Sequence, residues 1–458
     1  MDSTNESSKE QYEHDIIPEI ENKPKHGDSS DDALSIHTDL SAGLPPADLP
    51  PTDGGLYVWL TVFAACLVFF DTWGLVQAFG AYQSYYTTGL LRTYNASSIS
   101  WIGTIQAFLL VFIGFITGPI LDQGHLRPMV IVGGCMTVFA IMMLSLAQNY
   151  WQILLTQSIC LGLGSGILFT PALAQVTVSF NKHRPIALGC SMIGSGLGGI
   201  VYPIVFDQLE PRIGFAWATR VIAFIVLATL TPAVAILAWK KIPKKPPRSL
   251  FDWSALQEKP FVVYACGTFL MFTAYWVPWF YIPLYGRFGV YAGASFSFYL
   301  LSITNACSIV SRLCTPLLQR RLTCIQCIFI MCILAGTLVW SWLSISSFGS
   351  FVTFCIFWGL FSGPMAVLPA AAVADLAPNL NVMGARLGMI QATTAVGILI
   401  GSPMAGSISD PKEGDFFGGQ AYAGACLYAA AALIGVTVWL LEKARRQKLE
   451  QSNDIEKR

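Results

Sequence analysis

Two ionisable side chains, Asp71 and Arg312, lie well inside long apolar stretches of this 458-residue chain. A guanidinium such as that of Arg312 binds a carboxylate through two parallel hydrogen bonds. A buried carboxyl group such as that of Asp71 can hold a proton near neutral pH. Placing either charge in hydrocarbon costs about 2.5–3.5 kcal/mol, so both residues are candidates for binding or coupling. Structural roles stay open: Arg312 could extend to the nearby end of its stretch, and Asp71 could bond a neighbouring helix or pair with Arg312.

Amide and aromatic side chains in the same stretches form a second group of candidates. Gln77, Gln106 and Asn305 could bind a substrate, or they could hold helices together through hydrogen bonds. Trp276 belongs to an aromatic run interrupted by Pro278, which we interpret as a wall or outer gate for a flat or apolar substrate. The alternative is an aromatic belt at a membrane surface. The predicted substrate-binding residues are therefore Arg312, Asp71, Gln77, Gln106, Asn305 and Trp276.

Several other kinds of chemistry are excluded by what the sequence lacks. Cys324 and Cys327 form a C-x-x-C pair, but no second pair or nearby His completes a metal site. The glycines at 162–166 are not followed by the Lys-Ser/Thr of a phosphate-binding loop. No nucleophile and base stand together in a pattern that suggests catalysis. We therefore expect no enzyme activity, no metal, no cofactor and no nucleic-acid partner.

The elements that carry the candidate residues are predicted to be membrane-spanning helices. The chain is 54% hydrophobic and 12% charged, with a mean hydropathy of +0.56. An apolar stretch of about 20 residues crosses the bilayer as a helix, because hydrocarbon offers no partners for backbone polar groups. Twelve such stretches are predicted, at 57–80, 98–120, 128–147, 150–174, 185–206, 218–240, 260–285, 293–317, 323–345, 349–374, 385–408 and 420–442.

The polar segments divide the chain into parts. Residues 1–52 hold twelve Asp and Glu against three Lys, so we predict a disordered acidic cytoplasmic tail. A six-helix half at 53–240, a cytoplasmic linker at 241–259, a second six-helix half at 260–442 and a cytoplasmic tail at 443–458 follow. Lys and Arg concentrate in the loops after even-numbered stretches, which places both termini in the cytoplasm. The plasma membrane is the default location and the vacuolar membrane the alternative. Asn95 begins a glycosylation sequon in the first outside loop.

The two halves repeat one another at an offset near 200 residues. Matches at three places share nearly the same spacing, which is hard to attribute to chance. The matched pairs are Pro171 with Pro369, Gly189 with Gly388, and Pro203 with Pro403, at offsets of 198, 199 and 200. Two halves of this kind, joined by a long linker, are typical of carriers in which a substrate lies at mid-membrane between halves that rock about it.

Two further patterns resemble family signatures. The loop from Gly118 to Arg127 resembles the loop signature of the major facilitator superfamily, with Asp122 as its carboxylate and Gln123 in place of a basic residue. Asp122 could pair with a cation or a helix N-terminus in one of the two states of a rocking carrier. The resemblance implies an all-α membrane protein of the major facilitator fold, with twelve transmembrane helices in two six-helix halves.

The second resemblance is to the monocarboxylate porter family, closest to its fungal members. It rests on Asp53, Gly54 and Gly55 before the first stretch and on Lys182, Arg184 and Gly189 in the loop after the fourth. Together with Asp122 and Arg127, these are the predicted gating residues. The family's proton–lactate symporters use a Lys, an Asp and an Arg. The corresponding positions here are Gln77, Ser308 and Arg312, so one of the three is kept.

These observations predict a secondary active transporter that moves a small organic compound, anionic or aromatic, by alternating access. Fungal relatives implied by the resemblance include exporters of secondary metabolites and riboflavin-type uptake carriers. Export is favoured, with proton-coupled uptake of a monocarboxylate or riboflavin-like nutrient as the alternative. A non-transporting membrane sensor is the alternative from another class. The expected partners are the substrate, a coupling proton and the lipid bilayer, and the protein is expected to be a monomer.

Overall fold

The computed structural model describes residues 55–180, 183–239, 250–377 and 380–456, and within them the chain is almost entirely helical. Residues 1–54, including Asp53 and Gly54, as well as Lys182 and the linker residues 241–249, lie outside the described parts. The twelve long helices are α1 Leu56–Thr88, α2 Ala96–Asp122, α3 Leu126–Leu144, α4 Tyr150–Ser179, α5 184–213, α6 215–239, α7 Lys259–Phe288, α8 Ala294–Leu318, α9 Cys324–Trp342, α10 Phe348–Ala372, α11 Leu380–Ser407 and α12 Phe417–Glu456.

Helix α5 runs into α6 at Gly214, which has a left-handed backbone (φ 75°). Eleven continuous helical segments of the described chain are long and apolar enough to cross a membrane, and Ile186–Trp239 is one of them. Its 54 residues would reach about 80 Å as a single helix, more than twice the hydrocarbon thickness. The segment must therefore contain two spans, which agrees with the twelve that were predicted.

Several helices extend well beyond the predicted stretches, and three of them serve as examples. Helix α1 continues to Thr88 rather than 80, α11 begins at Leu380 rather than 385, and α12 continues to Glu456 rather than 442. The predictions followed the apolar run, but a helix does not end where it meets water. Residues after 442 are mostly good helix formers, with no Gly or Pro to stop the helix.

Helix α1 is interrupted twice, at Thr72 and Ala78. The Thr72 hydroxyl donates a hydrogen bond to the Val68 carbonyl oxygen (2.7 Å), a contact that commonly bends helices. The five-residue segment Trp73–Gln77 lies between the two breaks. The breaks therefore set apart the part of α1 that carries two side chains of the candidate site.

Glycines let α1 and α5 approach closely within the first half. A methyl group at Gly74 would lie 2.7 Å from the Gly198 Cα atom, and one at Gly194 would overlap the Cys66 carbonyl oxygen. A methyl group at Gly198 would likewise overlap the Phe70 carbonyl oxygen. Small residues at such positions give membrane helices their close packing.

The second half repeats this packing between α7 and α11. Gly397 faces the Phe269 carbonyl oxygen and Gly401 faces that of Thr273. All four residues follow their counterparts in the first half by 203 positions. The packing offset thus exceeds the offset of 200 between Pro203 and Pro403 by three residues, so these two prolines do not occupy equivalent positions.

The long helices run alternately up and down, so the bundle has two ends. We call the end that carries residues 250–258 the linker end, and the opposite end, with Arg92 and Lys412, the far end. Helices α1–α6 form the first half and α7–α12 the second. Helix α2 packs against α11 and α5 against α8, which joins the halves along two seams.

Candidate substrate cavity

A cavity of about 140 Å³ lies between the two halves. One water molecule needs about 10–15 Å³ on the same measure, so the cavity has room for a small organic molecule. Most of its wall is apolar. The aromatic lining residues are Phe69, Trp73, Phe169, Phe272, Tyr275 and Trp276, and the polar ones include Gln77, Ser195, Arg312, Gln391 and Thr394.

Helical spacing brings these side chains to one place. On α1, Phe69, Trp73 and Gln77 are four residues apart, and residues at this spacing share one face of a helix. The face of α7 that carries Phe272 and Trp276 has the same spacing and lies opposite. The two faces come from equivalent helices of the two halves.

Arg312 connects the halves at the cavity wall. It lies on α8, is 8% exposed, and donates through Nη1 to the Met192 carbonyl oxygen (3.3 Å) and to the Ser195 hydroxyl, both on α5. Tyr275 on α7 lies beside the guanidinium. The Arg312 Nε group has no hydrogen-bond partner among the described residues. One donor of a residue that lines the cavity thus has no partner in the described parts of the chain.

Gln77 and Trp276 contribute two more polar atoms to the same wall. Among the described residues, the Gln77 Oε1 atom and the Trp276 Nε1 group have no hydrogen-bond partners. Both residues are at most 3% exposed. A buried polar group without a partner costs about 1–3 kcal/mol, which a ligand in the cavity would recover. The residues that line the cavity thus carry two donors and one acceptor that have no partner among the described residues.

Asp71 is placed away from the cavity, inside the first half. Its carboxylate accepts hydrogen bonds from the Tyr202 hydroxyl on α5 (2.5 Å) and the Thr229 hydroxyl on α6 (2.8 and 3.0 Å). It is 0% exposed and does not pair with Arg312. Asp71 is therefore not among the residues that line the cavity in this structure, and its carboxyl group faces α5 and α6. A coupling role stays a prediction.

Gln106 and Asn305 also lie outside the cavity lining. The Asn305 amide donates to the carbonyl oxygens of Gly199 (3.1 Å) and Leu301 (2.9 Å), so it joins α8 to α5. Gln106 is fully buried, and its amide atoms have no hydrogen-bond partner in the described chain. The cavity therefore receives Gln77, Trp276 and Arg312 from the predicted set, whereas Asp71, Gln106 and Asn305 are held within the helix packing.

The predicted gating residues occupy helix ends. Gly55 precedes α1 with a left-handed backbone (φ 133°), which suits glycine. Arg127, at the start of α3, donates through Nη2 to the Trp239 carbonyl oxygen at the end of α6 (3.4 Å), where a cation is favourable. Asp122 ends α2, and Arg184 begins α5. A side chain at Gly189 would meet open space.

Polar contacts between the halves close the far end. Lys412, in the loop between α11 and α12, donates through Nζ to the carbonyl oxygens of Arg92 (2.6 Å) and Tyr94 (3.0 Å). Arg287 on α7 donates to the Thr88 hydroxyl on α1 (3.3 Å). Nearby, the Asn95 side chain caps α2 by accepting from the Ser98 backbone N–H (2.8 Å). Its glycosylation stays a prediction.

A tighter layer of contacts lies between this surface and the cavity. The Ser100 and Tyr281 hydroxyls are 3.0 Å apart across the halves. A methyl group at Gly80 on α1 would lie 2.6 Å from the Trp279 carbonyl oxygen on α7. By contrast, Ala366 and Ala370 line the cavity toward the linker end and are exposed. The cavity is therefore reached from the linker end.

The linker end is organised by Arg386 on α11. Its guanidinium binds Glu258 through two bonds (2.8 and 2.5 Å), Asp252 (2.9 Å) and the Leu376 carbonyl oxygen (2.6 Å). Hydrogen bonds from Ser254 and from Arg386 lower the pKa of the Asp252 carboxyl. Asp252 and Glu258, in the described part of the linker, are thereby held to the second half.

Comparison with known proteins identifies the family of this chain. Residues 61–402, well over half of the chain, match the Major Facilitator Superfamily. The chain belongs to the major facilitator superfamily. It is a multi-pass membrane transporter, not an enzyme, and it has the all-α major facilitator fold that the sequence predicted.

Fungal transporters of this superfamily are similar along most of their length. The MFS-type transporter dbaD of Emericella nidulans is 36% identical over 84% of this chain and 87% of that protein. The aspyridones efflux protein apdF of the same organism is 31% identical, over 89% and 82%. The agnestins efflux protein AgnL12 of Paecilomyces divaricatus is 30% identical, over 83% and 86%.

Solved structures agree on the fold alone. A peptide transporter POT in complex with alafosfalin superimposes with a TM-score of 0.67 at 14% identity, over 89% of this chain and 98% of that one. The nucleoside transporter NupG gives 0.61 at 13% identity, over 84% and 99%. The closer resemblance to monocarboxylate porters stays a prediction.

Sequence reasoning missed several cavity residues. Trp73 is the most prominent, and its spacing of four residues before Gln77 was a usable signal. Gln391 is an amide within an apolar stretch, like the amides that were selected. Ser195 and Thr394 carry no such signal, because small hydroxyl residues are common in membrane helices.

Proposed function

We propose that this transporter exports a small organic compound, anionic or aromatic, by alternating access of the cavity between its two halves. The observation that carries the proposal is the unpaired Arg312 Nε group in the wall of an otherwise aromatic and apolar cavity. The cavity is closed at the far end and accessible from the linker end. Two relatives are named as efflux proteins, which supports export.

The direction of transport depends on how the protein lies in the membrane. We propose that the linker end faces the cytoplasm, because Lys and Arg concentrate in the loops at that end. The structure would then represent the state that takes up its substrate from the cytoplasm. The plasma membrane is the proposed location. Opening toward the outside requires the contacts of Lys412, Arg287 and Gly80 to separate.

Flux into proteoliposomes tests the proposal. Purified protein is reconstituted, and the movement of salicylate, lactate and riboflavin is followed with and without an imposed pH gradient. We expect at least one of these compounds to move, and Arg312→Gln to reduce its flux at least tenfold. The matched control is Arg320→Gln, an exposed arginine beyond the end of α8 that should leave flux unchanged.

Two results would contradict the proposal. If no organic compound crosses the bilayer with the wild-type protein, the transport assignment to this cavity fails, and a non-transporting sensor becomes the better interpretation. If flux occurs but is equal in the wild type, Arg312→Gln and Arg320→Gln, the protein transports without using the site described above. A pH gradient that raises the flux would indicate proton coupling.

A further inference from the structure

Trp73 and Trp276 are the same position in the two halves. They are 203 residues apart, as are Phe69 and Phe272, one turn earlier on the same faces. The glycine contacts of α1 with α5 and of α7 with α11 have the same offset. The packing of the helices, rather than the sequence alone, therefore establishes that the two tryptophans are equivalent.

The two equivalent side chains contact one another. Their ring centroids are 6.0 Å apart and their planes are 6° from parallel. In a molecule built from two related halves, a residue can touch its own counterpart only on the axis that relates the halves. The approximate twofold axis of the protein therefore passes through this pair, and both side chains line the cavity.

Neighbouring rings fix the orientation of each indole. Phe169 packs edge-on against Trp73 (80°) and Tyr275 packs edge-on against Trp276 (78°). The faces of the two indoles are thus held toward each other. The Trp276 Nε1 group has no hydrogen-bond partner among the described residues, and Arg312 lies against Tyr275, the residue next to Trp276.

We propose that Trp73 and Trp276 form an aromatic clamp that holds the flat ring of the substrate, while Arg312 binds an acidic oxygen on that ring system. This rests on the function proposed above and names its substrate class: planar aromatic acids. A ring inserted between two others needs about 7–8 Å between the outer planes, twice the usual carbon contact of 3.5–4.0 Å. The centroid distance of 6.0 Å is an upper limit on the present distance between the two planes, so the pair must separate to accept a ring.

The position of the pair explains how such separation occurs. One tryptophan belongs to each half, so any rocking of the halves changes the distance between the two indoles. An aromatic ring between them gains two stacked faces, whereas a saturated ring of similar size and charge lacks the flat surface. Ring recognition is thus coupled to the movement that exposes the cavity to the far end.

Equilibrium binding to the purified full-length protein tests the clamp independently of transport. The probes are 2-naphthoate, its saturated analogue decalin-2-carboxylate, and uncharged 2-naphthamide. We expect wild-type protein to bind 2-naphthoate about three- to tenfold more tightly than decalin-2-carboxylate. Trp73→Leu and Trp276→Leu should each abolish that preference, whereas Trp276→Phe, which keeps a ring, should retain part of it. Wild-type protein should bind 2-naphthamide more weakly than 2-naphthoate, and Arg312→Gln should bind the two compounds equally.

The outcomes separate the clamp from the transport function. Equal affinity of the wild type for the flat and saturated acids, a preference that survives in both leucine variants, or no binding of 2-naphthoate would overturn the clamp. Melting temperatures of the variants, measured in the same detergent, establish that they are folded. Flux of 2-naphthoate is measured in parallel. Binding with the expected preference but without flux supports the clamp and contradicts transport. Flux of 2-naphthoate without a preference for the flat ring supports transport and contradicts the clamp.

Discussion

Asp71 and Arg312 are both charged residues buried in membrane helices, but their partners are located differently. Asp71 is bonded by Tyr202 and Thr229, which belong to its own half. Arg312 reaches Ser195 and the Met192 carbonyl on the opposite half. The rocking that we propose would leave the first set of bonds intact and break the second. Burial alone therefore does not separate a structural charge from a functional one, whereas the location of its partners does.

The degree of hydrogen bonding differs in the same way. Both carboxylate oxygens of Asp71 accept bonds from hydroxyl groups, so the site is complete without a ligand. Arg312 keeps one unpaired N–H at the cavity wall. A buried and unsatisfied donor is expensive unless something binds it. Under the proposed alternating access, contacts within a half would persist in every state, and contacts between the halves would form and break.

Replacing Arg312 by Lys gives the largest expected effect on transport. A lysine retains the charge but places three donors on one compact ammonium group instead of five in a planar fork, so it cannot reproduce the separate contacts of the guanidinium to α5 and to a substrate oxygen. Losing one charge-assisted hydrogen bond costs about 1.5–3 kcal/mol, so flux should fall at least about tenfold. Initial rates in proteoliposomes measure this.

Asp71→Asn tests the other half of this comparison, namely that Asp71 is not needed for substrate movement. Because the asparagine keeps an acceptor for Tyr202 and lies away from the cavity, flux without a pH gradient should stay within about twofold of the wild type. A loss as large as that of Arg312→Lys would mean that Asp71 takes part in transport. The same variant run with a pH gradient shows whether the carboxyl group carries the coupling proton.

Two glycines of α1 test whether packing contacts between the halves behave differently from packing contacts within one half. Gly80 faces the Trp279 carbonyl oxygen of the opposite half, and Gly74 faces Gly198 of its own half. Overpacking costs about 1–3 kcal/mol. In Gly80→Ala this penalty applies only while the far end is closed, so deuterium exchange of residues 81–95 should rise about fivefold or more.

Gly74→Ala is the matched control, because its penalty applies in every state. It should lower the melting temperature without a selective increase of exchange at the far end. An equal increase of far-end exchange in both variants would contradict the distinction between contacts within and between the halves.

Removing the Asp71 carboxylate altogether should reduce stability. Asp71→Ala leaves the Tyr202 and Thr229 hydroxyls without their buried acceptor, at a cost of about 1–3 kcal/mol in the free energy of unfolding. Thermal unfolding in detergent should show a lower melting temperature, and Asp71→Asn should lie between Asp71→Ala and the wild type. An unchanged melting temperature in Asp71→Ala would show that the hydroxyls find other partners.

The sequence predicted the helices well because hydrocarbon imposes a strong rule on them. A stretch of about 20 apolar residues has one stable solution, so the twelve spans and the fold were predictable. The break at Thr72 was not, because a threonine in a helix only sometimes bends it. Trp276 was found because it belongs to a long aromatic run, whereas Trp73 was missed because only Phe69 and Phe70 accompany it.

The roles of individual polar residues were harder to predict than their positions. Asp71, Asn305 and Arg312 look alike in the sequence, as polar groups in apolar stretches. Which of them faces the cavity depends on the rotation of each helix and on the residues of helices far away in the sequence. Arg386 illustrates this point, because its partners Asp252 and Glu258 lie more than a hundred residues earlier.

The smallest expected effect concerns contacts within the second half at the linker end. Hydrogen bonds from Ser254 and Arg386 lower the pKa of Asp252. A lowered pKa means that these contacts stabilise the protein fully above the ordinary carboxyl range near about 4 and are lost as the pH falls through the lowered value. At pH 7, Asp252→Asn should therefore melt less than about 2 °C below the wild type, since exposed pairs contribute little. The difference should shrink as the pH falls below the ordinary carboxyl range, because the wild-type carboxyl becomes protonated there. Asp410→Asn, in the far-end loop, serves as control, and a difference that is constant from pH 7 to pH 3 would show that the Asp252 charge is not what fixes the linker.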